Sequence, residues 1–159
     1  MDTMNRRLAL GLLAGTAASA LLPRAAAAAP KDDFTMWRDP GCGCCTVWAQ
    51  RVEAAFGRKL RIVDSGDMVA LKAARGVPED LRSCHTASIG GYTIEGHVPP
   101  ADIQRLVKSK SRTVRGLAVP GMPAGSPGMD VGHDRKQAYT VFAFGPAGRR
   151  SAFARHNGA

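Results

Sequence analysis

The sequence is poor in aromatic and in acidic residues. Phe, Trp and Tyr together make up 6% of the chain, and 13 Asp and Glu face 22 Lys and Arg, for a formal net charge of +9 at pH 7. No apolar run approaches the roughly 20 residues that a membrane-spanning helix needs, which excludes an integral membrane protein. Hydrophobic residues still account for 45% of the 159 positions, too many for a disordered chain. These features predict one small basic domain.

Motifs of several functional classes are also missing. The sequence contains no phosphate-binding loop, no Ser-His-Asp arrangement and no pair of carboxylates at catalytic spacing. The basic runs at 108–115 and 149–155 lack the aromatic platforms that nucleic-acid binding would use. We therefore interpret these runs as solvated surface and expect no nucleic-acid partner.

The first 28 residues have the pattern of a secretory signal peptide. Two arginines at 6–7 precede an apolar stretch at 8–22, and the alanines at 25–29 offer an Ala-x-Ala cleavage site. The arginine pair is also compatible with a twin-arginine signal. We expect a signal peptide at 1–28 and a single domain at 29–159, exported to the periplasm by the Sec or the twin-arginine route. In such an oxidising compartment, unprotected thiols tend to pair.

Strand and helix patterns alternate along the rest of the chain. They predict, in order, a strand at 34–37, a helix at 44–56, a half-buried strand at 60–63, a short helix after Asp67, a hairpin around Gly90-Gly91, a helix from Pro99, a Pro/Gly-rich loop at 117–133 and a final hairpin at 139–153. Trp48 lies on the apolar stripe of the first helix, where packing explains it. The succession βαβ-α-ββα, with an appended loop and a C-terminal β-hairpin, predicts an α/β fold of the thioredoxin-like type. A generic α/β sandwich is the alternative.

Three of the four cysteines lie within four residues, at the junction of the first strand and the first helix. The start of a helix favours negative charge, so we expect lowered thiol pKa values for Cys42 and its neighbours. In a thioredoxin-like topology, the loop before the third strand faces the start of this helix and brings Cys84 to it. The sequence therefore predicts a pocket of four thiolates near the surface.

Soft thiolates select Cu(I), Zn²⁺ or iron–sulfur clusters. Tetrahedral zinc ligation by the consecutive Cys44 and Cys45 is awkward, whereas Cu(I) accepts two or three sulfurs and allows thiolates to bridge. We predict a metal site that holds Cu(I) as a multi-copper cluster, with zinc less favoured, formed by Cys42, Cys44, Cys45 and Cys84. Two alternatives stay open: a pair of disulfides, for example Cys42–Cys45 and Cys44–Cys84, and a thiol–disulfide oxidoreductase that uses Cys42 and Cys45.

The Pro/Gly-rich loop carries two methionines, Met122 and Met129. Thioethers are good ligands for Cu(I), which makes both residues auxiliary candidates. Methionine also often packs a loop onto a core, and we favour that interpretation here.

Two histidines and one glutamate lie in the motifs around Cys84. His85 is a candidate to tune the site, although a strand-like backbone would point its side chain away from that of Cys84. His97, just before a helix start, is interpreted as a structural histidine, and Glu95 is assigned no role.

Five motifs together are typical of one known family. They are Cys42-Gly43-Cys44-Cys45-x-x-Trp48, Gly76-Val77-Pro78, Ser83-Cys84-His85-Thr86, the run from Gly91-Tyr92 through Glu95-Gly96-His97-Val98-Pro99, and the Pro-Gly-Met segment from Gly116 to Met129. From about Phe34 to Phe153 the chain resembles the exported CopG-type copper-resistance proteins, a bacterial cysteine-rich domain long filed as of unknown function. The resemblance implies a thioredoxin-like fold, a copper cluster on the four matching cysteines, and interconversion of Cu(I) and Cu(II). We expect copper ions, and a periplasmic protein that donates or accepts copper, as partners.

Overall fold

The computed structural model describes residues 33–157, so the predicted signal peptide at 1–28 lies outside the described residues. Seven strands form one sheet: β1 Thr35–Arg38, β2 Arg61–Asp64, β3 His85–Ile89, β4 Tyr92–Glu95, β5 Gly116–Ala118, β6 Tyr139–Phe144 and β7 Arg150–His156. Three α-helices accompany them: α1 Gly43–Phe56, α2 Met68–Ala74 and α3 Pro100–Ser109. Short 3₁₀ turns occupy Glu79–Leu81 and Pro146–Gly148.

The sheet is mixed, with the order β2-β1-β3-β4-β5-β6-β7. β1 is parallel to β2 and antiparallel to β3, β4 is parallel to β5, and the remaining neighbours are antiparallel. The predicted α/β class, the βαβ-α-ββα succession and the appended C-terminal hairpin are therefore confirmed. The narrower thioredoxin-like assignment stays a prediction.

Local sequence signals account for several element boundaries. Asp67 caps α2, since its carboxylate accepts a hydrogen bond from Ala70 N at 2.9 Å. Gly90 and Gly91 have φ values of 59° and 83°, which a two-residue turn between β3 and β4 requires and which side chains disfavour.

The main core lies between the sheet and helices α1 and α3. Trp48 from α1 and Ile103 from α3 are fully buried there with Leu117 of β5. Ala118, the next residue of β5, enters a smaller cluster with Phe144 instead. Neighbouring residues of a strand point to opposite faces, so both faces of the sheet are covered at this position.

Three sequence-based boundaries need correction. The segment Gly116–Ala118 is a strand, fully buried and paired with both β4 and β6, rather than the start of the long loop. Three residues are too few to show a strand period. β2 is an edge strand with mostly exposed side chains, such as Ile62, rather than a half-buried one. β7 continues to His156, beyond the predicted end of the final hairpin.

Candidate metal centre

The four cysteines meet at the N-terminus of α1. Cys42 is the residue that precedes the helix, and two more cysteines stand in its first turn. The antiparallel pairing of β1 with β3 brings Cys84, just before β3, to the same end of the sheet. The four sulfur atoms all lie within 4.8 Å of one another. The structure thus brings together the residues that the topology argument placed together.

Two of these sulfurs are bonded to each other. Cys42 and Cys45 form a disulfide, while Cys44 and Cys84 are free. The free thiols sit beside the disulfide, with 3.5 Å between the Cys42 and Cys44 sulfurs and 3.6 Å between those of Cys45 and Cys84. One bridge of the predicted two-disulfide alternative is therefore present and the other, Cys44–Cys84, is not. Ligation of one metal centre by all four sulfurs requires reduction of the existing bridge.

Burial sets the protonation of the Cys84 thiol. Burial, together with the neighbouring Cys44, raises the pKa of Cys84 to about 12. At neutral pH and without a cation, Cys84 therefore keeps its proton. A bound metal ion displaces that proton, because the thiolate is the ligand form.

Two histidines face the Cys84 sulfur. His85 Nδ1 lies 3.2 Å and His97 Nε2 3.1 Å from Cys84 Sγ, and the three residues form a second group able to hold a metal ion. His85 was expected to point away, but β3 begins at His85 itself, so strand alternation does not relate it to Cys84.

His97 has a structural hydrogen bond as well as a site contact. Its Nδ1 lies 2.9 Å from the carbonyl oxygen of Pro127, which can only accept, so Nδ1 carries the proton. Nε2 then offers its lone pair toward Cys84. Burial lowers the pKa of His97, and lowers that of His85 well below its usual value, which keeps both rings neutral. The structural interpretation of His97 was therefore incomplete.

Trp48 holds this histidine layer in place. The indole is fully buried, its Nε1 donates to Val98 O at 2.9 Å, and its ring centroid lies 4.3 Å from that of His85. The packing role predicted for Trp48 is confirmed, and the residue it packs against belongs to the site.

Gly128 brings the Pro/Gly-rich loop directly against the first turn of α1. A Cβ atom at this position would lie 2.8 Å from Cys44 O, 3.1 Å from Trp48 N and 3.2 Å from His97 Nδ1. Its φ of +93° also disfavours any side chain. The loop therefore forms a wall of the site, and only glycine fits at the point of contact.

The two methionines of this loop differ in exposure. Met122 is 53% exposed and Met129 is half-buried. Gly121, just before Met122, donates to Arg82 O at 3.3 Å and accepts from the Ser83 hydroxyl, which ties the loop to the Cys84 segment. The sequence favoured packing on the core for both methionines, but packing does not explain why Met122 is so exposed.

Arg38 is a site residue that sequence reasoning missed. It ends β1, and its guanidinium donates to Cys42 O at 2.9 Å and to the Thr46 hydroxyl at 2.6 Å. Its Nε also pairs with Asp64 at 3.0 Å. Arg38 thus fastens the start of α1 to the sheet. Nothing in the local sequence distinguishes it from the other basic residues.

The donor set determines which cations fit. Four sulfurs and two neutral imidazole nitrogens converge here, and in the described residues 33–157 no carboxylate joins either group of possible ligands. Such donors suit soft and borderline cations rather than Mg²⁺ or Ca²⁺. The site therefore fits a thiophilic transition metal.

Comparison with known proteins identifies the family of this chain. Residues 81–129 match the profile of a family described as "Protein of unknown function, DUF411". Two solved structures titled "Copper resistance protein copG", Form 2 and Form 1, share 44% sequence identity with the chain, with TM-scores of 0.70 and 0.71. The alignments cover 77% and 78% of this chain, and 95% and 96% of theirs. The chain belongs to the CopG-type copper-resistance family. No curated protein matches it.

Membership in the CopG-type family confirms the resemblance carried by the sequence motifs. Together with the cysteine cluster, it supports a copper-related function and metal binding. Within residues 33–157, this CopG-type chain has no helix of the length and apolarity needed to cross a bilayer.

Proposed function

We propose that this CopG-type protein is a periplasmic copper-binding protein of copper resistance and homeostasis that holds Cu(I) through four thiolates. The observation that carries the proposal is the convergence of the sulfurs of Cys42, Cys44, Cys45 and Cys84 within 4.8 Å. Cu(I) is the common cation that best matches such a soft, crowded set. Four thiolates balance the charge of four Cu(I), so we propose a multi-copper thiolate cluster, and zinc is less favoured.

Neighbouring residues have supporting roles in this proposal. His85 tunes the site through its contact with Cys84, since the groups around a ligand control its basicity and orientation. Met122 and Met129 are auxiliary thioether ligands on the loop that walls the site. Their side chains can approach a bound Cu(I) because methionine has three flexible bonds.

The proposed compartment and partners rest on the sequence. A signal peptide at 1–28 exports the domain at 29–159 by the Sec or twin-arginine route. In the periplasm the protein receives copper ions from, or passes them to, a donor or acceptor protein. The copper-resistance titles of the related structures agree with such a place in copper handling.

We also propose a redox role, in which the Cys42 and Cys45 thiols supply the electrons that reduce Cu(II). Oxidation of the Cys42 and Cys45 thiols to their disulfide releases two electrons and two protons, and these electrons reduce two Cu(II) to Cu(I). The structure has Cys42 and Cys45 in the disulfide state that this half-reaction would leave. A thiol reductant then restores the dithiol by exchange and opens all four sulfurs to Cu(I).

Anaerobic Cu(I) titration against a chromophoric chelator tests the proposal, with thiols counted beforehand. We expect the fully reduced protein to bind several Cu(I) tightly and to release protons as the thiolates form. The form with the Cys42–Cys45 disulfide should bind fewer ions more weakly, because two sulfurs are already bonded. If both forms bind the same number of Cu(I) ions with the same affinity, the four-thiolate site is contradicted.

A thiol–disulfide oxidoreductase is the second candidate, favoured by the disulfide itself. Cys42 is half-exposed and Cys45 fully buried, the arrangement of an attacking and a resolving thiol. Under this candidate, Cys45→Ser with a small-molecule disulfide accumulates a mixed disulfide at Cys42 that mass spectrometry detects. Under the copper proposal, the parent protein does not reduce or oxidise such disulfides catalytically. If Cys45→Ser traps the mixed disulfide and the parent protein turns the substrate over, the oxidoreductase is favoured.

A further inference from the structure

A buried ion pair lies beside the cysteine site and takes no part in the ligand set. Glu95, the last residue of β4, is fully buried, and Lys72 from α2 is nearly so. Lys72 Nζ lies 2.6 Å from Glu95 Oε1. The pair packs on the face of the sheet opposite to Ile94, which belongs to the main core.

The other partners of the carboxylate flank Cys84 in the chain. The backbone N–H of Ser83 donates to Glu95 Oε1 at 2.6 Å, and the Thr86 hydroxyl donates to Oε2 at 2.7 Å. Lys72 Nζ also donates to the Thr86 hydroxyl, at 3.0 Å. The carboxylate therefore holds the residue just before Cys84 and the second residue after it.

The Cys84 segment needs such a support. The register of β1 with β3 ends at the Arg38–His85 pair, so the sheet does not hold the residues just before His85. Ser83 is instead fixed from two sides, by Glu95 through its N–H and by Gly121 through its hydroxyl.

Stability alone is a poor reason for this pair. Removing two charges from water costs about as much as their attraction returns, and a well-packed apolar replacement is often as stable. A carboxylate also accepts several hydrogen bonds in fixed directions, which an apolar side chain cannot do. The carboxylate of Glu95 therefore does what an apolar side chain could not: it fixes the positions of Ser83 and Thr86.

We infer that Glu95 is a positioning residue for Cys84, with Lys72 as its counter-ion. By fixing the N–H of Ser83, it sets the place from which the Cys84 sulfur reaches the other three sulfurs. The inference rests on the proposed function, since it concerns how the copper ligands are held.

Two double variants test the hydrogen bonds that the Glu95 side chain makes to Ser83 and Thr86, without leaving a buried charge. Lys72→Met with Glu95→Gln keeps an oxygen that accepts from Ser83 N–H. Lys72→Met with Glu95→Met removes that acceptor at similar volume. Asp80→Asn is the control, because it disrupts the exposed pair of Asp80 with Arg150.

We expect Lys72→Met with Glu95→Met to lose about 10- to 100-fold in Cu(I) affinity, the range typical for loss of a residue that orients a metal ligand. The ultraviolet thiolate-to-copper charge-transfer band should change with it. Lys72→Met with Glu95→Gln, and the control Asp80→Asn, should each keep close to the parental affinity. If Lys72→Met with Glu95→Met binds Cu(I) and absorbs like Lys72→Met with Glu95→Gln, the inference is overturned.

Glu95→Asp keeps the test decisive if Lys72→Met with Glu95→Met does not fold. The shorter side chain retains the charge but draws the carboxylate back from the backbone N–H of Ser83, so a folded Glu95→Asp protein should also lose affinity. A folded Glu95→Asp protein with parental affinity and spectrum overturns the inference. If Cys84→Ser leaves the parent's copper binding intact, the four-thiolate proposal itself fails, which is a different outcome.

Discussion

We expect Cys84→Ser to lower the proposed Cu(I) affinity by at least 10- to 100-fold, about 1.4 to 2.7 kcal/mol, which is the usual cost of losing a group that only supports a metal ligand. The hydroxyl is a poor ligand for Cu(I), and Cys84 is the only cysteine outside the 42–45 segment. The bound copper per chain should also fall. Competition with a chromophoric chelator on the reduced protein measures both quantities.

His133→Ala serves as the control for this experiment. Histidine is a potential metal ligand, but His133 belongs to neither of the two groups able to hold an ion. It should leave the affinity and the copper content unchanged. Parental affinity in Cys84→Ser, or an equal loss in His133→Ala, would contradict a pocket that includes Cys84.

Trp48→Ala is expected to destabilise the fold by about 3–5 kcal/mol, the usual cost of truncating a large buried aromatic residue. The indole is fully buried, and its loss also leaves Val98 O without its donor. His85 loses the ring against which it lies. Urea unfolding followed by circular dichroism measures the change in the free energy of unfolding.

Trp48→Phe separates packing from the hydrogen bond. It keeps an aromatic ring against His85 and loses only part of the volume together with the Nε1 donor. We expect a smaller loss of stability than for alanine. A Trp48→Ala protein as stable as the parent would show that α1 is not held to the sheet through this residue.

The local part of the site could be predicted from the sequence. Cys42, Cys44 and Cys45 are adjacent in the chain, and a strand followed by an apolar helical stripe places them at a helix start. Cys84 required only the order of the elements, because the strand that follows it pairs with the first strand. The same regular periods predicted the α/β class and the final hairpin.

Contacts between distant residues could not be predicted in this way. His97 meets Cys84 because a turn after β4 and the loop carbonyl of Pro127 orient its ring. Glu95 meets Ser83 because β3 and β4 are paired in one particular register. Both residues lie in a family motif, but nothing in that motif indicates these contacts, since a histidine or glutamate near a strand end is common on protein surfaces.

For this protein the chemical nature of the site was already set by residue type and spacing: soft sulfur ligands at a helix start, in a small basic α/β domain of the CopG-type family. Only the tertiary structure decided which sulfurs are bonded, which imidazoles face them, and which buried charge holds the backbone beside Cys84. Ligand type depends on residue identity and short spacing, both visible along one chain. Which of the possible thiol pairs is bonded, and which side chains face and support the cysteines, depends on distances of a few ångströms, and most of these join segments that only the folded chain brings together.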